Sequence, residues 1–244
     1  MGSDEFGGDF GFVGLHEPFL GTSEGLEKAF YGAFSPCPVE SAACGPAPAG
    51  GEIAYSFHGL ARAMEDEMDV IEAIHGRRSV RSYDPRPVPR DLIESVILDA
   101  AQAPPPFRGQ IPWAFTVIEG VERIAAYGER ARNHTKDHHP AGSCWDWLAR
   151  PGFKIFWDAP VVVIISGPTG DCCRAGQNFM LSAHARGLGS CWVGSPMFWL
   201  DLPEVRAELQ IPSALAPVAV LCLGYPGAAP EAIVREKPPI IWAS

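Results

Sequence analysis

The stretch from Val161 to Val193, VVVIISGPTGDCCRAGQNFMLSAHARGLGSCWV, decides the reading of the fold. Val161 to Ile165 is an unbroken β-branched run of strand length. A strand with no polar face is buried on both sides. Gly167-Pro168-Thr169-Gly170 then turns the chain, because glycine and proline supply the dihedrals a tight turn needs. Asp171 to Arg186 reads as a helix that stops at Gly187, a residue free to adopt the left-handed conformation that closes a helix. Ser190 to Val193 returns as a short strand.

The same alternation continues in both directions. Asp69 precedes Val70, Ile71, Ala73 and Ile74, which predicts a short amphipathic helix with an acidic N-cap. Asp91 to Ala103 predicts a second, with Leu92, Val96 and Ala100 one turn apart and Ile93 and Ile97 beside them. Pro104-Pro105-Pro106 ends it. Trp113 to Ile118 reads as a strand and Val121 to Arg132 as a helix. Leu202 to Leu209 is helical, and Ala216 to Leu223 is another buried strand, closed by Gly224. Helices alternating with buried strands fit an α+β or an α/β domain.

Residues 1–66 differ. Stretches such as Cys44-Gly45-Pro46-Ala47-Pro48-Ala49-Gly50-Gly51 break any period, yet Phe6, Phe10, Phe12, Phe19, Phe30, Tyr31 and Phe34 recur. Disordered tails are poor in such rings. The expectation is an irregular N-terminal arm over 1–66, able to wrap a partner subunit, and a regular domain over 67–244.

The 244 residues are 47% hydrophobic and carry a formal net charge of -10. That balance suits a packed, soluble domain and disfavours nucleic acid as a partner. No stretch approaches the length of a membrane helix, and the acidic start lacks the layout of a signal peptide, so a cytoplasmic protein with no membrane partner is expected. The seven cysteines are scattered, with no Cys-x-x-Cys pair, and read as reduced thiols.

Four segments carry polar chemistry. Arg77-Arg78-Ser79-Val80-Arg81 follows the first helix, and guanidiniums at this density bind phosphate bidentately. Ala103 to Trp113 is a proline-rich loop containing Pro105, Arg108 and Gly109; such loops carry side chains to a ligand edge. Gly187-Leu188-Gly189-Ser190-Cys191-Trp192-Val193-Gly194 brings backbone close to a flat ligand. Arg235-Glu236-Lys237 places two cations near the C-terminus. Each is weak alone and reads equally as a surface patch or an ordinary turn.

In this order the segments resemble the nitroreductase family of FMN enzymes. Asp158-Ala159-Pro160 before the apolar strand, Gln177-Asn178 in the long helix and Leu223-Gly224-Tyr225-Pro226 after the last strand add to the match, which spans about Asp69 to Trp242. The resemblance implies an α+β fold, a three-layer α/β/α sandwich on a mixed, mainly antiparallel sheet. It implies FMN as cofactor, NAD(P)H as electron donor and a homodimer. Arg77 and Ser79 then sit beside the FMN phosphate with Arg78 close by, and Arg235 and Lys237 complete that site. Arg81 lies at the pyrimidine edge, and Gly194, after Trp192 and Val193, offers its N–H to flavin N5. The loop departs from the family, with Pro105 and Arg108 or Gly109 at positions where the family has Ser and Asn.

His134, His138, His139 and Cys144 mimic a metal spacing, but they fall where the family has its cover over the flavin. No metal site is therefore assigned, and Trp145, Trp147, Phe153 and Phe156 become the candidate rings of that substrate lid. No acid–base triad stands out, so no catalytic side chain is assigned and the chemistry would rest on the cofactor. The expected activity is hydride transfer from NAD(P)H through flavin to a small aromatic, nitro or quinone-type acceptor, by a ping-pong scheme. Alternatives are a biosynthetic flavin-dependent dehydrogenase or oxidase that desaturates a small molecule, and a non-catalytic FMN-binding protein.

Overall fold

A computed structural model describes residues 68–104, 112–138, 142, 145–228, 230 and 233–243. The chain divides into two units, 1–56 and 57–244, and every described residue belongs to the second. The expected N-terminal arm lies outside the described residues, as do Pro105, Arg108, Gly109, His139 and Cys144.

Four strands form one sheet in the order β1-β2-β4-β3: β1 (Ala114–Glu119), β2 (Val161–Ser166), β3 (Gly189–Trp192) and β4 (Pro217–Gly224). All neighbours run antiparallel, with Val163 opposite Val117 on one side and Leu221 on the other. The parallel component is one isolated bridge, Ser79 to Ser190, which attaches the arginine-rich segment to the outer edge of β3. Val80 N–H donates to the Ser190 carbonyl at 3.0 Å to hold it there.

The sheet is the middle of three layers because β2 and β4 are apolar on both faces. Val161, Val163, Ile165, Leu221 and Leu223 point to one side. They meet Ile93 and Val96 of α2 (Arg90–Ala100) and Ala175, Phe179 and Ala183 of α4 (Thr169–Ala185). Val162, Ile164, Val220 and Cys222 point to the other side. There they meet Ile124 and Ala131 of α3 (Val121–His138), Trp199 and Leu200 of α5 (Met197–Leu200) and Val205 of α6 (Pro203–Glu208). Side chains alternate along a strand, so an uninterrupted apolar run requires a packed layer on each face.

The first helix, α1 (Val70–Gly76), begins as expected: Asp69 Oδ1 accepts from Ile71 N–H at 2.8 Å and from Glu72 N–H at 3.4 Å. Its packing differs from the amphipathic reading. Only Ala73 is buried, whereas Val70, Ile71 and Ile74 stand 50–60% exposed. The helix meets α4 through its small residues. Gly76 lies so close to His184 that a Cβ there would sit 2.7 Å from Nε2.

Two further differences are tertiary in origin. The helix expected to end at Arg132 runs on to His138, where the buried Thr135 hydroxyl donates to the carbonyls of Ala131 (2.9 Å) and Ser195 (3.1 Å). The four-residue α5 has no period to read, and it forms as Trp199 and Leu200 enter the core. Among the described residues no helix is long and apolar enough to cross a membrane.

Candidate functional site

Three cations from two distant parts of the chain converge at the end of α1. Arg77 is the C-cap of that helix and Arg78 follows it. Arg235 arrives from the exposed C-terminal tail, close enough to act on Arg77 by charge. Burial first, then Arg235 and Arg78, pull the Arg77 guanidinium below its ordinary range; only Cys191 opposes them. Like charges gathered in a half-buried place repel unless an anion joins them. Arg78 Nη1 is turned back onto the carbonyls of His75 (2.6 Å) and Arg77 (3.0 Å). Lys237 stands exposed in the same tail.

A cavity of about 300 Å³ is lined by Arg77 and Arg78 together with Gly76, His184, Gly189 and Ser190. Among the described residues, two of its polar atoms are buried without a hydrogen-bond partner: Ser190 Oγ, on a residue only 2% exposed, and Arg78 Nε. Buried donors are normally satisfied, so a hydroxyl and a guanidinium N–H left unpaired beside a cationic cluster fit an anionic ligand. This is the chemistry a cofactor phosphate needs.

The segment then passes over the edge of β3. Ser79 pairs with Ser190, and next to it the Cys191 thiol donates to the Trp192 carbonyl at 3.6 Å. Burial pushes that thiol up, while Arg81, the Ser79 contact and Arg77 draw it back. Arg81 places its guanidinium carbon 5.4 Å from the Trp157 ring centroid. Tyr83 donates its hydroxyl to the Val80 carbonyl at 2.8 Å, which fixes the bend of the segment.

The glycine run after α4 provides an approach for a flat ligand. Trp192 turns its ring into the helix, where a Cβ on Gly176 would lie 2.5 Å from it, so the ring packs on the helix backbone. Val193 is buried, with its N–H donated to Val220 at 2.8 Å. Gly194 is exposed, and a Cβ there would meet nothing within 4 Å.

The expected lid rings form a chain. Trp145 and Trp147 are 5.9 Å apart, Trp147 and Phe153 meet edge-on at 4.8 Å, and Trp145 meets Phe198 at 5.9 Å. Phe156 departs from this set. It is 6% exposed and packs in the core against Gly128 of α3. Trp157 takes its place in the chain, 6.4 Å from Phe153. Trp157 and Asp158 both hold left-handed backbone, at φ 49° and 59°, a conformation that costs about 1–3 kcal/mol per non-glycine residue. Lys154 secures the bend by pairing with Asp158 at 2.5 Å. Arg81, Tyr83, Phe153, Lys154 and Trp157 line a second cavity of about 360 Å³.

Residue reading missed Tyr83, Trp157 and His184. Tyr83 follows the arginine segment directly but belongs to no motif, and only the fold brings Trp157 and His184 to that segment. The vicinal Cys172 and Cys173 separate in role. Cys172 is fully buried, and burial pushes its thiol up to about 11, whereas Cys173 is exposed.

The Nitroreductase family model matches residues 74–225. A relative in Methanothermobacter thermautotrophicus, provisionally named NADH dehydrogenase/NAD(P)H nitroreductase, is 34% identical over 67% of this chain and 81% of its own. A nitroreductase with bound FMN from Bacteroides fragilis superposes with a TM-score of 0.65 at 26% identity, over 72% of this chain and all of that one. A second, with bound FMN, from Desulfitobacterium hafniense, gives 0.64 at 19% identity over 72% of this chain and all of its own. The chain belongs to the nitroreductase family, and its α+β sandwich is the nitroreductase fold. Membership makes it an FMN-dependent oxidoreductase.

Proposed function

We propose that this protein transfers hydride from NAD(P)H to a small aromatic, nitro or quinone-type acceptor by a ping-pong scheme at a single FMN. The observation that carries the reading is a cavity lined by Arg77 and Arg78 with unpaired buried polar atoms, with Arg235 near enough to act on Arg77 by charge. FMN, when bound, supplies the two-electron chemistry at its N5. The chain's own residues bind and orient. Arg77 and Arg235, with Ser79 and Lys237, hold the phosphate, and Arg78 braces Arg77 through the end of α1. Arg81 faces the pyrimidine edge, where a cation favours negative charge on the ring. Gly194 presents backbone N–H to N5, with Trp192 and Val193 setting its position. The rings of Trp145, Trp147, Phe153 and Trp157 wall the acceptor space and exclude water. The provisional name of the Methanothermobacter relative supports a nicotinamide donor.

The purified protein should be yellow, and flavin released by heat should chromatograph as FMN. Anaerobic NADH or NADPH should bleach it, and a nitroaromatic should restore the colour. A colourless protein, released FAD, or a spectrum indifferent to both nicotinamides would overturn the reading.

The working assembly is proposed to be a homodimer with two-fold symmetry. Val70, Ile71 and Ile74 on α1, and Ile240, Ile241 and Trp242 in the tail, are between 50% and 90% exposed. Covering such residues yields roughly 25 cal/mol per Å², and a two-fold interface covers each patch twice. Light scattering should give twice the 26.3 kDa chain mass; a monomer that retains FMN sinks the assembly.

A further inference from the structure

We infer that His184 is a proton-linked member of the phosphate pocket: it takes up a proton as the FMN phosphate binds, so that capture of the cofactor strengthens as the solution is acidified. The inference rests on the cofactor reading above. His184 lies near the end of α4 and lines the same cavity as Arg77, Arg78 and Ser190. Its ring is seated against Gly76, the last residue of α1, where any side chain would collide with Nε2. The ring is therefore held at the pocket rather than swinging in solvent. Ser190, whose buried hydroxyl lacks a partner, shares that wall.

The charges around the ring set the direction of the coupling. Arg77 and Arg78 face it from the segment after α1, and Glu72 faces it from α1 itself. On its own helix Arg186 is occupied by Asp99 of α2 at 2.8 Å. Burial first, then Arg77 and then Arg78, hold the imidazole below its usual range, with Glu72 opposing. Without ligand it is thus neutral near pH 7.5. In that state its share of folding stability is present above the unfolded value of about 6.5. That share is lost as pH falls through the depressed folded value. A phosphate dianion reverses the balance: it brings two negative charges among the cations, and the imidazole gains one proton from solvent. No covalent bond changes.

The test compares wild type with His184→Gln, which keeps a hydrogen-bonding side chain and removes the titration. Both apoproteins are titrated with FMN and with riboflavin, which lacks the phosphate, from pH 6 to pH 8 in phosphate-free buffers. The phosphate's own second ionisation, near pH 6, affects both proteins equally and cancels in the ratio. The ratio of FMN Kd values, variant over wild type, should be about threefold to fivefold larger at pH 6 than at pH 8 if proton and phosphate are coupled tenfold, because the full factor is reached only below both ionisations of the ring. Calorimetry in two buffers of different ionisation enthalpy should show proton uptake by wild type that the variant loses. Riboflavin binding should be the same in both. Gly76→Ala, which displaces the ring without removing it, should also reduce the proton uptake. A Kd ratio independent of pH, or an equal loss of riboflavin affinity, overturns the inference while leaving the cofactor reading intact. A wild type that binds no FMN at any pH overturns the cofactor reading itself.

Discussion

Replacing Arg77 with alanine is expected to weaken FMN binding by about 1.5–3 kcal/mol, the range for a charge-assisted hydrogen bond lost from a partly buried site. That corresponds to roughly a tenfold to a hundredfold rise in Kd. The size follows from where Arg77 stands. It is the half-buried cation on which Arg235 and Arg78 converge, so its removal takes away the centre of the cluster. Arg77→Lys should fall between wild type and alanine, because an ammonium keeps the charge and loses the planar fork. Riboflavin should hardly notice either change. Fluorescence titration of the apoprotein reads all three affinities. FMN affinity unchanged in Arg77→Ala would reduce the arginine to a surface charge and remove the basis of the phosphate site.

Gly167→Ala is expected to lower the free energy of unfolding by about 4 kcal/mol, combining backbone strain with overpacking. Gly167 joins β2 to α4 at φ 151°, and its N–H donates to Ala216 at 2.8 Å. A Cβ there would lie 2.5 Å from the Pro112 carbonyl oxygen and 3.2 Å from both Cys172 Sγ and Trp113 Cα. The nearest obstacle is backbone and cannot swing aside. Gly187→Ala is the control. It too has positive φ, 73°, but no atom of the described residues lies within 4 Å of the added methyl, so it should cost about 1 kcal/mol. Urea unfolding of the two variants separates the effects. Equal midpoints would show that the turn relaxes and that the packing around Gly167 is not tight.

Much of the scaffold was legible because its causes are local. The run from Val161 to Ile165 has no polar face, and the strand is buried throughout. Asp69 caps the helix it precedes. Gly187 closes α4 in the left-handed conformation that glycine tolerates. Local pattern is silent wherever a partner lies far along the chain. The extra turns of α3 depend on Thr135 reaching Ser195. Nothing in the local spacing of Phe153 and Phe156 tells that Phe156 turns into the core, where it packs on Gly128. The α1 apolar face was expected inward, but the small residues Ala73 and Gly76 are the ones that allow close approach to α4.

By itself the sequence determined the layers. Hydrophobic period and turn chemistry act between neighbours in the chain, and they place strands, helices and the arginine segment in order. It also supplied the family, since the motif residues stand in family order. The family order already set Arg235 beside Arg77, but the contacts themselves, and the partners that no motif names, come from the tertiary structure. Arg235 reaches Arg77, His184 reaches Gly76 and Arg81 reaches Trp157 across separations that no local pattern encodes. Charge repulsion, ring seating and an unsatisfied hydroxyl are properties of proximity. They exist only once the sheet has fixed the edge of β3 and the end of α1 side by side.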